Sequence, residues 1–196
     1  TVFMLKTKNY KRMLAYSSIE NMGIICLGMG IGAGAVFASF LQMAAHSFVK
    51  ASFFMTSGNI FKKYKTKEID KVNGLLTRDS INGWLWIWCF IALVGFPPFP
   101  IFFSKLILVK EMFMRGNILL CVFMLVLFII ILYAMGNAVL KMSFGKMKED
   151  PSPSRSDYFA YIPQIVFLVF LCLLGIAMPQ GIYNLIAHAA ASITSS

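Results

Sequence analysis

The chain has 196 residues, 59% of them hydrophobic and 13% charged, with a mean hydropathy of +0.75. A soluble domain carries about a quarter charged residues, and several uncharged runs here approach the roughly 20 residues that cross a bilayer, so composition excludes an ordinary soluble domain and predicts an integral membrane protein embedded in lipid. The net charge is +10, but the basic residues sit in short clusters between apolar runs; that is a topology signal, and no nucleic-acid motif accompanies it.

The N-terminal residue is Thr1, and its first apolar residues run straight into Lys6, Lys8, Lys11 and Arg12. That is not a signal peptide, and the chain is expected to begin inside a longer protein. A first span is predicted over about 18–34. Ser17-Ser18-Ile19-Glu20 fits a capping box with Ser17 as N-cap, which makes Glu20 a helix-start acid, with a proton site as the competing role. Gly28, Gly30, Gly32 and Gly34 leave the end of this span nearly bare, as suits close helix packing or a tight turn. The second span covers about 35–61 and is followed by a basic loop, 62–78. The third apolar block, 81–115, is too long for one straight helix and is broken near 96–100. Pro97, Pro98 and Pro100 each lack an N–H and clash with the preceding turn. A fourth span is predicted at 117–140, a polar loop at 141–157, a fifth span at 158–178, and then a small uncharged tail.

Charge decides how the third block crosses. The basic regions are 6–12, 62–78 and 141–155. One interrupted crossing brings all three to the same face; two crossings would separate the last from the others. The positive-inside rule selects one crossing with the basic face cytoplasmic. Lys110 and Arg115 then lie on the other face, partly offset by Glu111. The fold class is therefore all-α: a polytopic transmembrane bundle with one discontinuous, proline-broken helix and about five crossings, forming a single membrane domain over 1–196.

Gln42, His46 and Lys50 are spaced i, i+4, i+8 and make one polar stripe on an otherwise apolar helix. Lys50 is about eleven residues, or ~16 Å, from the Phe61 end, too far for its stem to reach the interface. A buried lysine in a span usually faces a bundle interior or a hydrated cavity. His46 has a neutral packing role as its alternative. Lys105 follows the proline break and is expected in the first turn of the second half-helix, where the helix N-terminus and desolvation both act against a cation. The competing reading is a lysine paired with a carboxylate of another helix. Lys11 and Arg12 read first as topology-setting charges, and His188 has no assigned role. Cys26, Cys89, Cys121 and Cys172 stand alone in separate apolar segments and are expected as buried thiols, not as ligands of a redox centre. No nucleophile–base pair, phosphate loop or metal cluster is present, and the Gly-x-Gly matches lack a nucleotide-site context. No cofactor is expected in this chain.

These residues also carry a family likeness. Lys11-Arg12-Met13-Leu14-Ala15-Tyr16-Ser17-Ser18, continuing to Gly23, resembles the KR-x-x-AYSS-x-x-x-x-G segment of antiporter-like proton-pump subunits. Such subunits occur in respiratory complex I, in group 4 hydrogenases including formate hydrogenlyase, and in Mrp cation/proton antiporters. His46 to Ala51 resembles their H-x-x-x-K-A helix, and Gly95 through Lys105 their broken helix. The resemblance covers most of 6–110, in order. It implies a fold of about fourteen spans in two inverted five-helix repeats, of which this chain supplies the later part. It implies that His46, Lys50 and Lys105 belong to a hydrophilic axis carrying protons, with Lys11, Glu20 and Gln42 as further candidates. The expected function is a proton-translocating membrane subunit of a redox complex in a prokaryotic plasma membrane, partnered by other membrane and redox subunits. The alternatives are an Mrp-type Na⁺/H⁺ antiporter subunit and a non-transporting structural subunit. The Ser-Ser-Ile-Glu wording leans towards hydrogenase-4 component F. Asn21 stands where that type often has His and Lys105 where it often has Glu, so the subfamily stays open.

Overall fold

The computed structural model describes residues 1–32, 34–145 and 158–194. Among the described residues the chain is helical almost throughout and has no strand, only an isolated bridge between Asn9 and Glu68. The helices are α1 (Val2–Lys6), α2 (Tyr10–Ile31), α3 (Gly34–Tyr64), α4 (Leu75–Arg78), α5 (Ser80–Val94), α6 (Pro100–Met114), α7 (Ile118–Phe144), α8 (Ile162–Ile176) and α9 (Gln180–Thr194), with 3₁₀ turns at Ile69–Lys71 and Tyr158–Tyr161.

The first correction concerns where α2 starts. Its N-cap is Asn9, whose Oδ1 accepts from the backbone N–H of Lys11 at 3.0 Å and Arg12 at 3.2 Å. An N-cap carboxamide fills two otherwise unpaired donors, so the helix opens at Tyr10. Ser17 is therefore a mid-helix residue, its Oγ donating back to the Leu14 carbonyl at 3.0 Å. The expected capping box does not exist, and Glu20 caps nothing. At the other end Gly32 turns the chain at φ +80°, and α3 returns along α2. The two helices meet at Gly28, where a Cβ would lie 2.9 Å from the Ala35 carbonyl and 3.1 Å from Leu108. Ser39 seals the hairpin by donating to the carbonyls of Ile25 and Ala35, both at 3.0 Å.

The 31-residue α3 is the central post, and α2, α5, α6, α8 and α9 all pack on it. Along α3 from its C-terminal end, Lys63 meets Asp79 and Phe53 meets Trp86. Further along, Ser52 meets Cys89 and Gln42 meets Ser104. Gly34 lies against the side chain of Glu111. So α5 and α6 run one after the other, antiparallel to α3. Between them Gly95 adopts φ +88°, Pro97–Pro98 is cis, and Pro100 opens α6 at its first position, where its missing N–H leaves no bond unmade.

The chain ends sort by charge. Tyr10 N–H donates to the Lys67 carbonyl and Ile69 N–H to that of Lys8, and Lys141 is ion-paired with Asp70 at 2.5 Å. The segment before α2, the loop after α3 and the C-terminal end of α7 thus share one end of the bundle. Gly32 and Gly34, close to Arg115 and Glu111, mark the other. Part of the expected polar loop, 146–157, lies outside the described residues. α8 starts at the basic end, where Asn59 donates to the Ala160 carbonyl at 3.2 Å. The small tail is a helix: α9 lays Ile182 and Ile186 against Phe37 and Leu41 of α3, with the Tyr183 and Phe37 rings 5.3 Å apart.

Among the described residues, three helical stretches, Tyr10–Ile31, Ile118–Phe144 and Tyr158–Ile176, are long and apolar enough to cross a membrane. Leu119, Phe123 and Ile129 on α7 and Val169 and Leu173 on α8 are exposed, an apolar surface suited to lipid. Of the four cysteines, Cys89 and Cys121 are buried as expected, while Cys26 is exposed and Cys172 half-buried; all four are free thiols.

Candidate functional site

The polar stripe of α3 is interior along its whole length: Gln42 is 1%, His46 4% and Lys50 7% exposed. A helix presents i, i+4, i+8 on one face, and here that face meets α2 and α6. Lys50 Nζ donates to the Leu14 carbonyl and to Ser17 Oγ, both at 2.5 Å, and stands 5.7 Å from the Phe54 ring centre. From Ser17 the polar line continues. Asn21 Nδ2 donates to the Ser17 carbonyl at 2.8 Å and to Glu20 Oε2 at 2.7 Å. Gln42 Nε2 donates to Asn21 Oδ1 at 2.6 Å, and Gln42 Oε1 accepts from Ser104 Oγ on α6. Polar contacts therefore lead from Lys50 to the residue before Lys105, passing at Ser17 from its hydroxyl to its backbone carbonyl. His46 lies between Gln42 and Lys50 on α3, with a buried Nδ1 that has no partner.

Lys105 differs from expectation in a way that reverses the local field. α6 begins at Pro100, so Lys105 sits in its second turn. Its Nζ reaches back to the Val94 carbonyl at 3.0 Å. Val94 is the last residue of α5, and the carbonyl end of a helix attracts a cation. The break thus gives Lys105 an acceptor that a continuous helix would have used itself. The ammonium also stands 4.4 Å from the Phe128 ring centre on α7, a cation–π contact.

Glu20 joins this group from α2. It interacts electrostatically with both Lys105 and Lys50. One carboxylate oxygen is bound by Asn21; the other, Oε1, is buried without a partner. The residue borders a cleft of about 490 Å³ between α2 and α7, whose walls include Ile24, Met124, Phe128 and Ile131. Glu20 is thus a carboxylate of another helix that acts electrostatically on both lysines, while its own hydrogen bond is with Asn21. Lys11 stands apart: its Nζ lies 4.8 Å from the Phe61 ring centre at the basic end. His188 is exposed on α9. No group of His, Cys, Asp and Glu able to hold a metal ion occurs among the described residues.

Sequence reasoning singles out the α3 stripe but gives no role to Ser17, Asn21 and Ser104 as links. Ser17 and Asn21 are spaced i, i+4 on α2, the same signal that marks the stripe on α3. A helix taken to start at Ser18 hides it, because Ser17 then falls outside.

Fold and network together describe an integral membrane helical bundle built around buried ionisable groups. Residues 1–132 match the family model described as NADH:quinone oxidoreductase/Mrp antiporter, TM, and the chain belongs to that family. It is 32% identical over 187 residues to a hydrogenase-4 component F homolog of Methylacidiphilum infernorum, covering 93% of this chain and 38% of that protein. It is 25% identical over 174 residues to a Na⁺/H⁺ antiporter subunit of Bacillus subtilis, covering 88% and 35%. The chain thus spans well under half the length of these relatives. Among solved structures it is similar to a chain of the archaeal membrane-bound sulfane sulfur reductase, with TM-score 0.85, 26% identity, and 97% and 39% of the two chains covered. It also shares its fold with a chain of the Mrp complex from Dietzia sp. (TM-score 0.84, 19% identity, 97% and 44% covered). A chain of respiratory complex I from Thermus thermophilus has the same fold (0.83, 19%, 98% and 41%).

Proposed function

We propose that this chain forms part of a proton-translocating membrane subunit of a redox complex, of the hydrogenase or NADH:quinone oxidoreductase type, and that His46, Lys50 and Lys105 carry the protons. The single observation behind this is the buried line from Lys50 through Ser17, Asn21 and Gln42 to Ser104 beside Lys105. Burying the Lys50 ammonium inside an apolar bundle, with the half-buried Lys105 and Glu20 close by, is costly, and such groups mark ion pathways. Each lysine holds a proton against a backbone carbonyl and releases it when the charge on Glu20, or the hydration around it, changes. Asn21 and Gln42 orient the line, since an amide has both donor and acceptor but does not readily ionise. The redox chemistry, and any cofactor, belongs to partner subunits.

In this proposal the chain is one membrane domain with five crossings: α2, α3, α5 with α6, α7 and α8. The support for treating α5–α6 as one interrupted crossing is their consecutive, antiparallel course along α3 and the pairing of Lys141 with Asp70. Unpaired backbone at the break is tolerable in a membrane only where protein or water satisfies it, and Lys105 does so at Val94. The basic end is cytoplasmic by the positive-inside rule, in a prokaryotic plasma membrane.

In the intact complex, Lys105→Ala abolishes proton pumping while assembly persists; normal pumping in that variant sinks the assignment. A Na⁺/H⁺ exchanger without electron transfer is the second reading, favoured by the similarity to the Bacillus subtilis antiporter protein. Co-purification separates the two: hydrogenase or quinone-reducing subunits support the first, other antiporter subunits alone the second. A purely structural subunit has no use for Lys50, Glu20 and Lys105 in its interior.

A further inference from the structure

On the face of α3 turned away from Lys50, α5 and α8 close a second junction, and it holds polar groups that the proton line does not use. At the basic end Lys63 Nζ is 2.9 Å from Asp79 Oδ2, and Tyr161 Oη donates to the same oxygen at 2.8 Å. The other carboxylate oxygen, Oδ1, caps α5 by accepting from Asn82 N–H at 3.2 Å. One turn further in, Asn82 on α5 is fully buried, and neither its Nδ2 nor its Oδ1 has a partner. On α8, one turn beyond Tyr161, Gln164 is 1% exposed and its Oε1 has none either. Trp86, the next turn of α5, is fully buried with an unpartnered Nε1. The inner end is marked by Ser52 Oγ, 3.2 Å from Cys89 Sγ and bonded to the Gln164 carbonyl at 3.3 Å.

Four unpaired polar atoms in one helix junction are far more than chance packing leaves in a native interior. Buried amides without a protein partner are ordinarily satisfied by ordered water, which makes two to four hydrogen bonds at such sites. Here donors (Asn82 Nδ2, Trp86 Nε1) and acceptors (Asn82 Oδ1, Gln164 Oε1) are both left open, the combination that water bridges and that an ion of either sign would not.

The geometry points to a hydrated chamber between α3, α5 and α8, closed at the basic end by Lys63, Asp79 and Tyr161, that gives protons access into the bundle as far as Ser52. This rests on the proton-translocation reading and adds a route of entry to it. On α3 the fully buried Val49 and Phe53, the latter edge-to-face with Trp86 at 4.5 Å between ring centres, form an apolar seam next to Lys50 and Ser52 in the chain. Wetting of that seam connects the two. Tyr161 donates to Asp79 at the mouth, so the mouth presents a hydroxyl and a carboxylate that water can bond.

The test uses the intact complex in native membranes. Radiolytic hydroxyl-radical labelling modifies residues next to bound water even when they are buried. Trp86 is expected to label clearly faster than Tyr10, an equally buried ring of the same core, and Asn82→Leu is expected to bring Trp86 down to the Tyr10 rate. Trp86 labelling no faster than Tyr10 in the wild-type complex overturns the chamber, whatever the variants do. Asn82→Leu and Gln164→Leu are each expected to lower proton pumping by about tenfold or more, with Lys105→Ala as the comparison. Wild-type pumping in both leucine variants, with Lys105→Ala inactive, overturns the access route and leaves the proton line standing. Wild-type pumping in Lys105→Ala as well overturns the proton line itself.

Discussion

Lys50 and Lys105 are each held by a backbone carbonyl, Leu14 for the first and Val94 for the second, with Glu20 supplying the nearby negative charge. That arrangement keeps the ammonium groups mobile, since a carbonyl binds a cation less firmly than a carboxylate in direct contact. Glu20→Gln removes the countercharge while keeping the shape. Its expected effect is a fall in pumping of about tenfold or more with normal assembly, read by dye quenching in inverted vesicles against redox turnover. Equal pumping would return Glu20 to a bystander. Gln42 tests the bridge. Gln42→Leu strands Asn21 Oδ1, a buried acceptor left unsatisfied at a cost of about 1–3 kcal/mol, while Ser104 Oγ keeps its bond to the Ile101 carbonyl. Thermal unfolding of the purified complex should register it as a lower midpoint, with the proton line interrupted as well. The stripe of Gln42, His46 and Lys50 is legible directly from its spacing. Glu20 is not, because Ser17-x-x-Glu20 satisfies a local capping pattern that Asn9, eight residues before Ser17, makes redundant.

Among the elements, the α2–α3 hairpin and the α5–α6 break depend on glycine for opposite reasons. Gly28 is a place where two helices touch, and Gly30, two residues on, has nothing within 4 Å of a Cβ. Gly28→Leu therefore forces Ala35 and Leu108 apart, an overpacking cost of about 1–3 kcal/mol, while Gly30→Leu is expected to be tolerated. Yields of folded subunit from membranes, compared side by side, check the contrast. Gly95 supplies the left-handed turn that ends α5, and Gly95→Ala adds about 1–2 kcal/mol of backbone strain there. The proline run lies between the end of α5 at Val94 and the start of α6 at Pro100. The start of α2 and the whole of α9 are not legible from hydropathy. Tyr10, Lys11 and Arg12 are too polar to be counted into a span, and the Ala- and Ser-rich tail has only Ile182 and Ile186 to mark its buried face.

Over the described residues, the segment before α2, the loop after α3 and Lys141 at the end of α7 gather at one end although they are far apart in sequence. The exposed Lys141–Asp70 pair does not cause this. A surface ion pair contributes at most about 1 kcal/mol, and Lys141→Ala is expected to leave stability unchanged within that margin. The path of the chain causes it. Single cysteines replacing Lys67, Arg115 and Lys141 should label with an impermeant maleimide from one side for 67 and 141 and from the other for 115. Labelling of all three from the same side would refute a single interrupted crossing.

By itself the sequence determined the membrane class, the all-helical character and the polar spacing of Gln42, His46 and Lys50 on α3. Each of these depends on residues within a few turns of one another, where the periodicity of a helix and the length of a bilayer act locally. The tertiary structure decided which atoms meet. Lys50 finds Ser17 across 33 residues and Ser104 finds Gln42 across 62. Those contacts depend on how far each helix is rotated about its own axis, and that rotation is fixed by packing against neighbours, which no single helix encodes. For the same reason Glu20 passed from a supposed cap to a carboxylate that acts electrostatically on both lysines, and Lys105 from the positive end of one half-helix to the negative end of the other.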